Sequence, residues 1–358
     1  MATRRSFLAG VGAVAAGVVP RLGWASVGDP ALIAAGKTGK ESYVLHGLDA
    51  AGESLFQIPL PARGHAACAH PTRAEAVGFA RRPGTFALVI DCGTGRVAHH
   101  LTPPEGSQFN GHGAYSADGS VLMTSEVVAE TSEGRVGLWE ADGYRRIGEW
   151  ATGGIGPHDM KRFADGRLAV ANGGIATDPT DRTKLNIGQM RPNLTLLDAA
   201  GAISEVMELD AELWPNSIRH LALAADGTLA FAMQWEGDPA ADVPLLGLWR
   251  PGASPRLCEA RPEEAGLMKG YAGSVAFSGD EGRVAITSPK GGAVMIFDAA
   301  GAPVVTHRRA DLCGLTPALG AGFTATDGQG AVWSCADAGL ELAARHATQW
   351  DNHLIRIG

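Results

Sequence analysis

The chain has 358 residues, of which 45% are apolar and 19% charged, with 49 glycines and 20 prolines. Such a composition is globular and rich in turns, and too apolar for a disordered chain. A net charge of −8, with no Lys/Arg block beyond the N-terminus, argues against a nucleic-acid partner.

Arg4 and Arg5 stand directly before Ser6, Phe7 and Leu8, and a short apolar region runs on to Val19. This order reads as a twin-arginine export signal. Gly23 and Ala25 put small residues at the two cleavage positions, so residues 1–25 are expected to be the signal and 26–358 one mature domain. The twin-arginine route carries proteins that are already folded, often with a cofactor in place. The expected location is the periplasm. No later apolar run approaches the length of a membrane span, so none is expected in the mature protein.

Beyond the signal the chain repeats itself. Hairpin-like segments begin at Tyr43, Phe86, Val136, Leu194, Leu246 and Val294, with Gly-containing turns between runs of Val, Ile, Leu and Trp. Between them lie units with turns at Asp118, Asp165, Asp226, Asp280 and Asp327. A period of roughly 45–60 residues, with four short strands per unit, predicts an all-β fold, a β-propeller. The first hairpin has no Asp-Gly unit before it, so N- and C-terminal strands are expected to close the ring. Seven blades fit the length, with six or eight open; two packed β-sandwiches are the structural alternative. Residues 175–192 and 236–244 read as insertions.

The five cysteines, Cys68, Cys92, Cys258, Cys313 and Cys335, form no CxxC pair. They read mainly as small buried apolar residues, with a Cys258–Cys313 bridge open.

Histidine placement carries the site. His112 and His220 each lie six residues before a turn aspartate, and His158 lies seven before. His65 opens the corresponding strand of the first full blade. The equivalent positions in the last two units read as Ser274 and Ala321. The first strand of a blade lines the central channel, so four imidazoles are expected to share one volume near a channel mouth. Neutral imidazole ligates zinc, copper, iron and nickel. His353, near the chain end, is a further candidate. Asp159 and Arg219 are expected to orient imidazoles. Structural use of these histidines within each blade, or a metal-free catalytic pocket, are the competing readings. His99 and His100 are expected on an outer strand facing solvent.

The segments Asn110-Gly111-His112-Gly113, Gly156-Pro157-His158-Asp159, Ser217-Ile218-Arg219-His220 and Trp350-Asp351-Asn352-His353, with the signal, resemble a bacterial family catalogued as domain of unknown function 1513. The resemblance covers nearly all of the mature chain. It implies an exported β-propeller whose genes lie beside imelysin-like and di-haem peroxidase-like exported proteins, and therefore partners that handle iron or copper. A looser likeness is to the propeller of nitrous oxide reductase, where channel histidines hold a copper cluster. This chain has fewer histidines in register and no cupredoxin domain.

The expected function is thus a periplasmic propeller that binds copper or iron through His65, His112, His158, His220 and His353, in metal acquisition or redox. An interaction scaffold presenting residues 175–192, and a propeller hydrolase or lactonase, are the alternatives. The latter usually needs calcium held by carboxylate and amide oxygens. Here the channel positions offer histidine, serine and alanine.

Overall fold

The computed structural model describes residues 22–82 and 84–357, so the signal reading lies outside the described residues as far as Arg21. Within them, 28 strands form seven four-stranded antiparallel sheets arranged in a ring, a seven-bladed β-propeller. Among the described residues no helix is long and apolar enough to cross a membrane.

The ring closes inside blade 1. Its outer three strands are Leu32–Lys37, Tyr43–Leu48 and Ser54–Leu60, and its inner strand, Gln349–Arg356, comes from the other end of the chain. The expected closure by both termini is therefore what the chain does. The first hairpin gains one partner strand from each end, and Gly339–Arg345 completes blade 7. The remaining inner strands are Gly64–Ala69, Ser107–Tyr115, Pro157–Arg162, Asn216–Leu223, Ser274–Phe277 and Leu312–Pro317, in blades 2 to 7. Each inner strand touches those of both neighbours around the axis.

Alternation places apolar side chains on both faces of each blade, and these faces pack against the next blade. Seven hydrophobic clusters result, one per interface. Phe79 and Val89 of blade 2, for example, meet Phe109, Leu122 and Trp139 of blade 3. In blade 7 the Asp327 turn joins the second strand, Phe323–Asp327, to the third, whereas the earlier turn aspartates follow the first strand. Ala321 therefore lies in a loop, and the channel position of blade 7 falls on Leu312–Pro317.

All five cysteines are buried and free, so the Cys258–Cys313 bridge does not form. Cys258 sits on the outer strand of blade 5 and Cys313 on the inner strand of blade 7. His100 is exposed as expected on the outer strand of blade 2, while His99 is half-covered and lies against Tyr144, with ring centroids 5.0 Å apart.

Candidate metal centre

The inner strands do not run straight past the axis. In blades 1 to 5 each carries a register shift where its histidine stands. The shifts fall between Gly64 and Ala67, Phe109 and Gly113, Pro157 and Met160, and Ile218 and His220. In blade 1 the shift lies opposite Ala34 and Gly36, between Trp350 and Leu354. A bulge breaks strict alternation and re-aims a side chain. Here it turns five imidazoles, from His353, His65, His112, His158 and His220, into the channel. Blade 6 has Ser274 at the corresponding place and no such shift, and blade 7 has a shift between Leu312 and Leu315 without a histidine.

The rings pack together. His65 and His353 centroids are 4.7 Å apart, as are those of His112 and His158 and those of His112 and His353. His220 stands 4.8 Å from both His158 and His353. One nitrogen each from His65, His112, His158 and His353 fall within 4.8 Å of one another. His353, the weaker candidate from the sequence, thus belongs to the tightest set, and His220 flanks it. Gly111 makes room for this approach. Its φ is +98°, and a β-carbon there would lie 2.4 Å from His65 Cδ2.

The donors are the important chemistry. His65 Nδ1, His112 Nε2, His158 Nδ1, His220 Nδ1 and His353 Nε2 are buried without a hydrogen-bond partner among the described residues. Each such nitrogen costs about 1–3 kcal/mol if nothing replaces its hydration. Burial, and after it the neighbouring imidazoles, hold His65, His158 and His353 well below the usual histidine range. The same causes bring His220 down to about 3. These imidazoles are therefore neutral at pH 7, with a lone pair free on each ring. Their protonation begins below the pH 6.5 expected from the free side chain.

Asp159 lies beside the cage, with Oδ1 3.4 Å from His112 Nδ1. Its carboxylate accepts from the Leu221 amide at 2.9 Å and pairs with Lys161 at 3.0 Å. Burial opposes its charge, yet Lys161 and His112 hold it well below the usual carboxylate range. Asp159 is thus placed to orient an imidazole. Arg219 is not. It falls within the blade 5 bulge, makes no hydrogen bond to an imidazole among the described residues, and lines a second cavity beside His158 and His220.

Two cavities meet at the histidines. One, of about 500 Å³, is lined by His112, His220, His353, Asp159, Lys161 and the inner strands of blades 6 and 7. The other, of about 410 Å³, reaches His65, His158 and His220 beneath a group of arginines. The insertion at residues 175–192 supplies Arg182 and Lys184 to the second cavity. Sequence reasoning missed this cationic group because its members come from loops and one inner strand of several blades. The one local signal was a basic residue just before two of the histidines, in Arg63-Gly64-His65 and Arg219-His220.

The remaining histidines are engaged elsewhere. His46 meets Ser54 and Thr348, His70 meets the Gly119 carbonyl, and His346 meets the Gly52 carbonyl.

The family profile described as "Protein of unknown function (DUF1513)" matches residues 58–357. No curated protein matches the chain in sequence. Among solved structures it is similar to Kuenenia stuttgartiensis hydrazine synthase, with TM-score 0.61 and 11% identity, over 80% of this chain and 86% of that one. It is also similar to the RRP9 WD40 repeats, with TM-score 0.58 and 13% identity, over 88% of this chain and 84% of that one. At such identities the likeness concerns the fold alone.

Proposed function

The chain belongs to the DUF1513 family of proteins of unknown function, and we propose that it is a periplasmic propeller that holds a transition-metal ion in its axial histidine cage. One observation carries this reading. Imidazoles from five blades converge, four of them with nitrogens within 4.8 Å of one another, and each of the five rings keeps a buried nitrogen without a partner. Histidines that served only to bond within their blades would have their polar atoms satisfied there.

The residues fit such an ion. Metal–nitrogen bonds of ~2 Å put opposite donors ~4 Å apart, so the cage needs only a small tightening. An all-imidazole set suits copper, iron, zinc or nickel and disfavours calcium or magnesium, which take oxygen. Copper or iron is our choice, in acquisition or redox, with other exported metal-handling proteins as partners. The twin-arginine motif supports the periplasmic address and the loading of a cofactor before export.

The test is elemental analysis of protein exported by its own signal. We expect about one ion of copper or iron per chain. The double variant His112→Ala/His158→Ala should lose the ion while keeping its β-sheet circular dichroism. A protein free of metal on isolation that also takes up no copper, iron or zinc would end the proposal.

A further inference from the structure

We propose that the arginine-lined cavity above the cage binds a small, multiply charged oxyanion, its charge on carboxylate or phosphate oxygens. The lining brings together Arg63, Arg81, Arg82, Arg182, Arg219 and Lys184 in a chain whose net charge is −8. The carboxylates nearby do not neutralise them all. Asp351 is engaged by Arg63 at 2.7 Å and by Arg81 at 3.7 Å. Glu236 is ion-paired with Lys184. Arg82, Arg182 and Arg219 form no ion pair with a carboxylate among the described residues, and Glu236 acts on Arg219 only at longer range.

Arg219 is withdrawn from water and Arg82 is half-buried. Arg219 is 6% exposed, and its Nε is buried without a hydrogen-bond partner. Burial, then the charges of Arg219, Arg182 and Arg81, pull Arg82 down to about 9. Like charges held together and desolvated are costly unless a counter-charge joins them. Guanidinium forks match carboxylate and phosphate oxygens in pairs, and several of them converging on one space select for more than one negative charge. The volume, about 410 Å³, is that of a small-molecule site. Tyr271 and Asn352 add uncharged donors to the wall.

The site stands on side chains outside the cage and does not need a metal. Its floor, however, is His65, His158 and His220. An oxyanion seated there would lie against any cation the cage held. That last step alone rests on the proposed metal function.

The experiment uses the full mature protein, stripped of metal on a chelating resin and titrated in low salt by calorimetry. The probes are citrate and pyrophosphate, with acetate as the singly charged control. We expect saturable binding of citrate, pyrophosphate or both, weaker by roughly tenfold or more for acetate, and weakened further by added sodium chloride. Citrate alone would assign carboxylate chemistry, and pyrophosphate alone phosphate chemistry. Arg82→Gln and Arg219→Gln should each lower affinity by about tenfold. Should the buried Arg219 variant fail to fold, Arg182→Gln/Lys184→Gln on the exposed insertion should still lower it several-fold. Absence of saturable binding for both polyanions, or binding indifferent to all these variants, overturns the proposal. Metal content is read separately, so an empty cage with intact anion binding refutes only the metal reading.

Discussion

His112 Nδ1 faces Asp159 Oδ1 at 3.4 Å across the junction of blades 3 and 4. The carboxylate favours the ring tautomer with its proton on Nδ1, which leaves the buried Nε2 as a lone-pair donor toward the cage. The same carboxylate accepts the Leu221 amide of blade 5, so one side chain ties the three blades that carry His112, His158 and His220.

Asp159→Asn should therefore weaken metal binding by roughly 10–100-fold without removing a ligand. Competition against a chelator of known affinity checks this. Unchanged affinity would show that Asp159 supports only the fold.

The metal-free protein should lose stability as pH falls below about 6.5. Burial, and then mutual repulsion, depress His65, His158 and His353, and bring His220 to about 3. His46 is likewise lowered, to about 4, by burial and by His346. In the unfolded chain these rings take up protons first, so acid favours unfolding. Their contribution is complete above pH ~6.5 and fades downward through the window to the folded values. Urea midpoints measured from pH 8 to pH 4 should be flat and then fall. A midpoint that rises on acidification contradicts the neutral cage.

Gly111→Ala should cost ~1–3 kcal/mol, since it forces a side chain into positive φ. The new β-carbon would also push the His65 ring. Metal affinity should fall with it while the far blades keep their structure, as amide exchange would report. An alanine variant that binds metal normally would mean that the cage tolerates displacement of His65.

Truncation before Gln349 should destabilise the whole domain, since it opens blade 1, exposes strand edges and removes His353. Melting and limited proteolysis give the measure. A truncated chain that melts like the parent would show that the ring holds without its closing strand.

Replacing Arg4 and Arg5 with lysine should stop export, and cell fractionation reads the outcome. Leu22–Ala25 adds a second measurement. Trp24 is buried between blades 1 and 2, and its indole donates to the His70 carbonyl at 2.8 Å. Protein beginning at Ser26 should be less stable than protein beginning at Leu22 by roughly 3–5 kcal/mol, the scale of losing a buried tryptophan. Equal melting would mean that Trp24 contributes little.

Much of the cage was legible because His65, His112, His158 and His220 keep a nearly fixed distance from the first turn of their blades. That distance reflects a real constraint, the depth of the inner strand. His353 had no turn after it to count from, since its strand belongs to a blade begun at the other end of the chain. The reading failed in blade 7 for the opposite reason. Asp327 is a turn aspartate, but of the second turn, so counting back from it reached Ala321 in a loop. Register shifts at each histidine were also invisible, because a bulge changes which way a residue points without changing its spacing. The arginine cavity is assembled across blades and leaves almost no linear pattern.

The closing strand has a further consequence. His65 and His353 are near neighbours in the cage yet stand near opposite ends of the chain. A cation gripping both would fasten one chain end to the other, as a cross-link does, and would restrain the unfolded polymer over nearly its whole length. With every cysteine free, the described chain has no covalent tether of this kind. Loading of the cage would thus act as a reversible rivet, set at assembly and withdrawn when the ion leaves.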